Sequence, residues 1–394
     1  MESLIAVTPE EFRKERDIDA RVLHEVTEID IKNRRIHVRD LGKEKELREP
    51  FDILMIATGA IPFYPDVPGR DARGIYGVHT LQSGIEVRRV VDGERPRRAV
   101  IVGGGYIGLE MAEAFVMRGV EVSLVERSEQ VMGTLDPDMG SLVSDALMKV
   151  GVKLYRNESL QGFDTRDGRV AAVATDKRSL PADIVITGLG VQPNTALARN
   201  AGIPLGVRGS IMVNDRMQTS VEGVWAGGDC AESFHLVSRR PVHFALGTIA
   251  NKQGRVAGIN IGGGYATFPG VVGTAVSKIC AYEVARTGLQ EREIRALGLE
   301  YVTGKIESMT RAHYYPQAGK VTVKVLAEKG CGRLLGGQIV GVEGAAKRID
   351  VLATSLHAGF TVLDMIDLDL SYAPPYSPVW DPVIIAARKA ADAL

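Results

Sequence analysis

The sequence is short of cysteine. Its 394 residues include three, Cys230, Cys280 and Cys331, with no C-x-x-C pair and no histidine at the spacing of a metal ligand. Neither a disulfide framework nor a zinc site is therefore expected. We predict three buried or neutral thiols and no metal.

An excess of charge is also absent, because 48 lysine and arginine residues nearly balance 49 aspartate and glutamate residues. No net field then favours a nucleic acid or a membrane surface as partner. No apolar run approaches the roughly 18 residues of a membrane span, and the opening residues turn polar too early for a signal peptide. The expectation is a cytoplasmic protein that acts on a small molecule.

The overall composition, with 45% apolar and 25% charged residues, is typical of globular proteins, and the length suits two or three domains. Alternating runs on either side of Lys32–Arg34 predict a β-hairpin. The segment TPEE at 8–11 predicts the start of a helix, with a polar tail as the alternative. From Arg98 the order strand, glycine turn, helix, strand predicts one βαβ unit of a parallel sheet.

The glycine turn of that unit has the pattern G-x-G-x-x-G. Gly103 permits a tight turn, Gly105 lets a pyrophosphate approach the backbone, and Gly108 lets the helix pack closely on the strand. The next strand ends in Glu126, 21 positions after Gly105, near the roughly 20 expected for an acid that accepts ribose hydroxyls. Together these features favour dinucleotide binding over the alternative, a purely structural turn.

The end of that strand also bears on the choice of nucleotide. Glu126 repels a 2′-phosphate, which favours NADH. Its neighbour Arg127 is able to accept such a phosphate, which keeps NADPH as the alternative. The prediction is NADH.

Five stretches carry a family resemblance that covers essentially the whole chain: MIATGAIP, IVGGGYIGLEMAEAF, TSVEGVWAGGDCAE, HYYP and SYAPPYSPVWDP. The chain resembles the coenzyme A disulfide reductase and NADH oxidase branch of the FAD-dependent pyridine nucleotide-disulfide oxidoreductases. The last stretch is the specific one, because glutathione-reductase relatives have a histidine-bearing dyad there. The resemblance implies an α/β fold with two dinucleotide-binding domains, one for FAD and one for NAD(P)H, and an α+β C-terminal dimerisation domain.

The resemblance also implies contacts with FAD. Asp229 accepts hydrogen bonds from the flavin ribitol, a helix that opens near Gly247 directs N–H groups at the flavin pyrimidine edge, and Val26 contacts adenine through its backbone. The other implied FAD contacts are Ala57, Thr58, Gly59, Gly227, Gly228, Leu246 and Thr248. Without the family, a turn aspartate and a strand that ends in a glycine turn explain the same residues.

A further group is implied for the nicotinamide nucleotide. Tyr106 resembles the gate that covers the flavin until nicotinamide displaces it, with core packing as the alternative. Glu110 matches a position near the nicotinamide amide, and Gly188 and Gly190 let the nicotinamide ribose approach. Ile107, within the same turn, is implied to contact the nucleotide.

Tyrosines near the C-terminus are implied to be catalytic. Tyr372 and Tyr315 resemble the positions through which one subunit of a homodimer reaches the flavin and thiol of the other, where a phenol donates a proton to a developing thiolate. Tyr376 and Asn251 resemble positions that contact substrate. Interface packing and an ordinary polar helix residue are the alternatives.

Two family features do not occur within the 394 residues. The family opens on a segment of about 60 residues that contains its own G-x-G-x-x-G turn and, about forty residues after that turn, a single redox cysteine. The expectation is that Met1 falls after this segment, so that the chain as printed holds FAD weakly and lacks disulfide reductase activity. A misplaced start, a fragment and a real deletion are the alternatives.

The predicted organisation has four parts: 1–95 and 210–268 as two portions of the FAD-binding domain, 96–209 as the NAD(P)H-binding domain and 269–394 as the dimerisation domain. The predicted function is FAD-dependent NAD(P)H oxidation coupled to reduction of coenzyme A disulfide or persulfide. An NADH oxidase or peroxidase is the first alternative. A redox-silent nucleotide-binding dimer is the second.

Overall fold

The structure is a computed structural model that describes residues 4–394. Its α-helices are α1 (Pro9–Arg16), α2 (Leu81–Glu94), α3 (Tyr106–Val116), α4 (Pro137–Lys149), α5 (Ala196–Asn200), α6 (Gly247–Ile261), α7 (Glu291–Ala296), α8 (Ile349–Ala358), α9 (Val362–Ile366) and α10 (Pro382–Ala391). Among residues 4–394, no helix has the length and apolar character needed to cross a membrane.

The strands follow the chain in two groups. Those before residue 200 are β1 (His24–Asp30), β2 (Arg35–Asp40), β3 (Lys45–Pro50), β4 (Leu54–Ile56), β5 (Ala60–Pro62), β6 (Ile75–Tyr76), β7 (Arg98–Val102), β8 (Glu121–Glu126), β9 (Lys153–Arg156), β10 (Leu160–Arg166), β11 (Arg169–Thr175), β12 (Ser179–Pro181), β13 (Ile184–Thr187) and β14 (Val191–Pro193). Those after it are β15 (Val224–Ala226), β16 (Ser233–Phe234), β17 (Pro241–Val242), β18 (Ala275–Ile279), β19 (Tyr282–Gly288), β20 (Tyr301–Met309), β21 (Lys320–Glu328) and β22 (Leu334–Gly341).

The chain forms two compact units. The first comprises the residues up to Ala60, Pro193–Ser233 and Pro241–Phe268. Within it, β1, β2 and β3 form an antiparallel sheet, and β4 pairs in parallel with β15. A buried apolar cluster that includes Ile29, Ile56 and Ile211 forms its core.

Local signals in the first unit act as the sequence predicts. Thr8 caps α1, and Glu11 completes a capping box. The hairpin of β1 and β2 turns on Asp30, whose carboxylate accepts hydrogen bonds from the backbone and side-chain nitrogens of Asn33 (3.0 and 2.7 Å). The predicted helix start and hairpin are confirmed.

The second unit comprises Ile61–Gln192, Phe234–Arg240 and Pro269–Leu394. It contains a parallel sheet in the order β6-β13-β7-β8-β9 and an antiparallel sheet in the order β18-β19-β22-β21-β20. The apolar runs of β7 and β13 suit parallel strands that are covered on both faces. Ile279 and Val340 of the antiparallel sheet pack in the same core as Ile101 and Leu124 of the parallel sheet. This shared core joins the predicted nucleotide-binding and C-terminal parts, and the four predicted domain boundaries stay a prediction.

A polar cluster within the second unit joins the starts of α4 and α7 to β21 and β22 of the antiparallel sheet. The Nζ of Lys324, which is 2% exposed, contacts carboxylate oxygens of Asp136 (3.1 Å), Asp138 (2.7 Å) and Glu291 (2.6 Å). Gln338 accepts from the Asp136 backbone (2.8 Å) and donates to its carboxylate (2.7 Å). Burial alone would lower the pKa of Lys324, but the hydrogen bonds and charges of the three acids raise it to about 12. The ammonium therefore stays charged at the centre of the cluster.

Candidate functional site

The glycine turn predicted to bind a dinucleotide joins β7 to α3. Gly103 has a φ of +105°, a conformation that favours glycine. A Cβ on Gly108 would lie 2.0 Å from the Gly103 carbonyl oxygen, whereas a Cβ on Gly105 would meet no atom within 4 Å. Gly105 caps α3 without a side-chain hydrogen bond, and Ile107 in the first turn is half-buried. The helix thus presents free N–H groups beside open space, as an anion site requires.

Glu126, at the end of β8, lies against this turn. One carboxylate oxygen accepts a hydrogen bond from Gly104 N and the other from Ser128 N, both at 2.8 Å. Both oxygens keep lone pairs for further donors. An acceptor is therefore fixed beside the turn, while Arg127 next to it is exposed.

Tyr106, the first residue of α3, is half-buried, and its hydroxyl accepts a hydrogen bond from Thr134 Oγ1 at 3.2 Å. Burial raises the pKa of Tyr106, although Thr134 and Arg286 act in the opposite direction. Gln290 holds the segment that carries Thr134, since its Nε2 donates to the Gly133 carbonyl at 3.3 Å. One hydrogen bond between neutral hydroxyls thus restrains this side chain.

The other residues predicted near the nicotinamide differ in how close they lie to this turn. A Cβ on Gly188 would lie 3.1 Å from Gly108 N, so this loop passes close to α3. Gly190 has a φ of +90° and open space at its Cα. Glu110 is exposed and accepts a hydrogen bond from Ser277 Oγ at 3.3 Å. The structure thus brings Gly188 to the turn and leaves Glu110 at the surface.

In the first unit, Asp229 lies in the loop after β15. No described residue hydrogen-bonds to its carboxylate, and its carbonyl oxygen accepts from His243 Nε2 at 2.7 Å. Gly228 has a φ of +79°, and its N–H donates to Gln253 Oε1 at 2.8 Å. A Cβ on Gly227 would lie 3.0 Å from a neighbouring side-chain atom. The loop is held by its backbone, which leaves the carboxylate free to accept hydrogen bonds.

Of the two side chains that hold this loop, Gln253 was not predicted from the sequence. Gln253 is fully buried, and its Nε2 also donates to Glu232 O (3.3 Å) and Ser233 Oγ (3.0 Å). It interrupts the buried face of α6 between Ile249 and Val256. The sequence does contain a signal for this residue, because Gln253 is a polar side chain at a position of α6 where the helical periodicity calls for an apolar one.

The start of α6 is open. Its N-cap residue Leu246 makes no side-chain capping bond, and Gly247 and Thr248 are exposed. The first-turn N–H groups are therefore available to an electron-rich group. Asn251, one turn further, is exposed and makes no side-chain hydrogen bond with residues 4–394.

The segment after β4 is tied to a distant stretch of the same unit. Thr58 Oγ1 donates to the Asn194 carbonyl at 2.5 Å, and Asn194 N donates to Gly59 O at 2.9 Å. Ala57 is exposed. The pairing of β1 with β2 shifts register immediately after Val26, and such a bulge leaves backbone groups unpaired beside the predicted adenine contact.

The tyrosines predicted to be catalytic or to contact substrate are accessible. Tyr376 is largely exposed, and Tyr372 and Tyr315 are 48% and 36% exposed. Burial and the neighbouring Tyr314 hydroxyl raise the pKa of Tyr372. Tyr372 is therefore a protonated phenol near neutral pH, able to donate a proton or a hydrogen bond.

No cysteine in the described residues has the environment of an activated thiol. Cys230 is fully buried, with its Sγ 3.5 Å from the Ile56 carbonyl oxygen. Burial and the charge of Glu113 raise the pKa of Cys280. Cys331 is exposed, with its Sγ 3.5 Å from a Glu328 carboxylate oxygen. Activated thiols need a nearby positive charge or helix N-terminus, so none of the three fits a redox role.

Comparison with known families agrees with this geometry. Residues 4–254 match a family model described as pyridine nucleotide-disulphide oxidoreductase. Residues 274–382 match the dimerisation domain of the same family.

Individual relatives cover nearly the whole chain. The NAD(P)H sulfur oxidoreductase (CoA-dependent) of Pyrococcus abyssi is 40% identical over 388 residues, which is 98% of this chain and 85% of that protein. The solved structure of an NAD-dependent persulfide reductase from A. fulgidus is 38% identical, with a TM-score of 0.94 over 98% of this chain and 71% of that one. Reduced CoADR-RHD from Bacillus anthracis is 35% identical, with a TM-score of 0.95 over 99% of this chain and 70% of that one.

Proposed function

Because the chain belongs to the pyridine nucleotide-disulphide oxidoreductase family and is an NAD(P)H-dependent oxidoreductase, we propose that its substrate is coenzyme A disulfide or coenzyme A persulfide. With the disulfide, NADH and one proton yield NAD⁺ and two thiols. With the persulfide, they yield NAD⁺, one thiol and hydrogen sulfide. The observation that supports this proposal most strongly is that one chain combines the glycine turn at Gly103, the Asp229 loop and exposed tyrosines near the C-terminus.

The residues of the first unit fit FAD. The Asp229 carboxylate has no partner among the described residues, as a group that accepts from ribitol hydroxyls requires. The uncapped start of α6 suits the pyrimidine edge of the flavin, where negative charge grows on reduction. FAD supplies the chemistry that accepts a hydride and passes two electrons to sulfur.

The residues of the second unit fit NADH. The N-terminus of α3 and the space at Gly105 receive the pyrophosphate, and Glu126 accepts hydrogen bonds from the adenosine ribose. Tyr106 covers the nicotinamide position and moves when the nucleotide binds. Its movement breaks the single hydrogen bond to Thr134.

The tyrosines act on the sulfur substrate. Tyr372 and Tyr315 donate protons or hydrogen bonds to the thiolate that leaves when the sulfur–sulfur bond breaks. Tyr376 and Asn251 contact the substrate. The assembly is a homodimer formed through residues 274–382, the segment that matches the dimerisation domain.

The substrate proposal is tested by steady-state kinetics of the FAD-loaded protein. NADH is held constant, and coenzyme A disulfide, coenzyme A persulfide, oxygen and hydrogen peroxide are compared as acceptors. We expect the highest kcat/KM with a coenzyme A sulfur substrate. Turnover with oxygen or peroxide alone would instead assign an NADH oxidase or peroxidase, and NADH binding without turnover would assign a redox-silent protein.

Reversal of one charge is expected to change the nucleotide preference. Glu126→Arg removes the ribose acceptor and the hydrogen bonds to Gly104 and Ser128, and it attracts a 2′-phosphate. The ratio of NADH to NADPH affinity should fall by at least about tenfold, because opposing charges at close range are worth several kcal/mol. Isothermal titration with both nucleotides measures this ratio.

Glu129→Arg is the matched control. Glu129 lies in the same loop and is exposed, so the same reversal there should leave the ratio nearly unchanged. An unaltered ratio in Glu126→Arg, or an equal change in both variants, would show that Glu126 does not contact the ribose.

A further inference from the structure

One guanidinium group holds both segments that carry the C-terminal tyrosines. Arg348 Nη2 donates to the carbonyl oxygens of Thr310 (2.6 Å) and Tyr376 (2.8 Å). Its Nε donates to Asp381 Oδ2 at 3.0 Å, and its Nη1 donates to the Gly344 carbonyl. The two segments, which are separated by about 60 residues of sequence, are thereby fixed to one side chain.

Asp381 fixes the far side of this arrangement. Its Oδ2 also accepts from Ser377 Oγ at 3.0 Å, and its Oδ1 accepts from Val383 N at 2.9 Å at the start of α10. The Arg348 and Asp381 side chains are 10% and 12% exposed. A charged pair at this depth is well shielded from solvent, and its hydrogen bonds are stronger than those of neutral groups.

The segments also touch directly. Ala312 N donates to the Pro374 carbonyl at 3.1 Å. Tyr314 follows Ala312 by two positions, and Tyr372 precedes Pro374 by two positions. The contacts of Arg348 on either side therefore determine where Tyr314 lies relative to Tyr372. Burial, together with the Tyr314 hydroxyl, raises the pKa of Tyr372.

We propose that Arg348 and Asp381 are positioning residues that set Tyr372 beside Tyr314 and hold it as a proton donor. The proposal rests on the proposed function, in which Tyr372 serves the sulfur substrate. A lysine at 348 keeps the charge but offers a point-like ammonium with three donors, and it cannot reproduce the planar fork that binds a carboxylate and three carbonyls. The role therefore requires arginine.

The test compares Arg348→Lys and Ser377→Ala with the wild-type chain. Ser377→Ala removes one hydrogen bond to Asp381 and leaves both charges paired. This milder variant is expected to fold even if Arg348→Lys does not. Lys347→Gln is the matched control, since Lys347 lies beside Arg348, is 83% exposed and pairs with Asp350.

Two readouts are combined. The pKa of Tyr372 is followed by NMR of ¹³Cζ-labelled tyrosine, with the signal assigned by Tyr372→Phe. The kcat for the sulfur substrate is measured together with the KM for NADH. In Arg348→Lys we expect a Tyr372 pKa closer to the ordinary value and a kcat about 10- to 100-fold lower, as for a misplaced catalytic group. The KM for NADH should stay as in the wild type, and Ser377→Ala should change both readouts in the same direction to a smaller extent.

Wild-type values of the Tyr372 pKa and kcat in both Arg348→Lys and Ser377→Ala would overturn the proposal. Equal effects in Lys347→Gln would also overturn it, because they would show a general loss of charge. If the wild-type chain reduces no sulfur substrate, the proposed function fails. The shift in the Tyr372 pKa then still decides whether Arg348 positions this tyrosine.

Discussion

Replacement of Lys324 by methionine is expected to destabilise the second unit by about 3–5 kcal/mol, the cost of leaving the buried Asp136 carboxylate without its cation. The ammonium contacts Asp136, Asp138 and Glu291, and methionine fills the same volume without neutralising them. Native-state hydrogen exchange of the β21 and β22 amides measures the change as a loss of protection.

Lys320→Met is the matched control on the same strand. Lys320 is 75% exposed and pairs with Glu307, and exposed pairs contribute about 0–1 kcal/mol. Equal protection of β21 and β22 in wild type and Lys324→Met would contradict the account, because it would show that the three carboxylates find other partners.

The pH dependence of this difference follows from the pKa shifts. Lys324 has a raised pKa of about 12, compared with an ordinary value of 10.5. Its contribution to the free energy of unfolding is therefore complete below pH 10.5 and is lost as the pH rises through 12. Burial would raise the pKa of Asp138 and Glu291, but their hydrogen bonds to Lys324 hold both below the ordinary values. Their contribution is complete above those values and is lost on acidification. The stability difference between wild type and Lys324→Met should therefore be widest from weakly acidic to weakly alkaline pH.

The second large effect is expected from two glycines of the nucleotide turn. In Gly108→Ala, the new methyl group would lie 2.0 Å from the Gly103 carbonyl oxygen, so the turn must open. Overpacking of this kind costs about 1–3 kcal/mol. We expect this variant to lose both stability and NADH binding.

Gly105→Ala separates packing from ligand binding. Its methyl group meets no protein atom within 4 Å, and Gly105 has extended backbone dihedrals that alanine adopts. The free energy of unfolding of this variant should stay within about 0.5 kcal/mol of the wild-type value. The variant should bind NADH at least about tenfold more weakly, a loss of about 1.4 kcal/mol, because the methyl group occupies the space of the pyrophosphate. Thermal unfolding and titration with NADH measure the two effects. Normal NADH binding in Gly105→Ala would show that the pyrophosphate lies elsewhere.

Local features of the fold could be read from the sequence. Thr8 caps a helix, Asp30 and Asn33 turn a hairpin, and the spacing from Gly103 to Glu126 gives a closed turn with an acid against it. Each depends on residues that are close in sequence or on one supersecondary unit. Periodicity and turn chemistry report such short-range physics directly.

Long-range polar contacts could not be read in the same way. Gln338 binds Asp136 across 202 positions, and Asn194 binds Thr58 across 136. Nothing in the neighbourhood of either residue marks its partner. The same holds for Arg348, whose contacts with Thr310 and Tyr376 exist only because the antiparallel sheet and α10 bring the two tyrosine segments together.

The reactivity of the cysteines also needed the structure. The sequence predicts buried or neutral thiols and places Cys230 beside Asp229, in the loop implied to contact FAD. The structure turns its Sγ into the apolar core towards the Ile56 carbonyl, and it gives Cys280 a raised pKa. The role of the family's redox cysteine is therefore not assigned to any of the three cysteines.

Anaerobic spectroscopy of the flavin tests the central claim most directly. The FAD-loaded protein is reduced with one equivalent of NADH and then mixed with coenzyme A disulfide or coenzyme A persulfide in the absence of oxygen. The account predicts that NADH bleaches the flavin absorbance and that a coenzyme A sulfur substrate restores it, with NAD⁺ and coenzyme A formed in the proportions given above. The account would be contradicted if the flavin stayed bleached with both coenzyme A sulfur substrates and regained its absorbance only when oxygen was admitted afterwards.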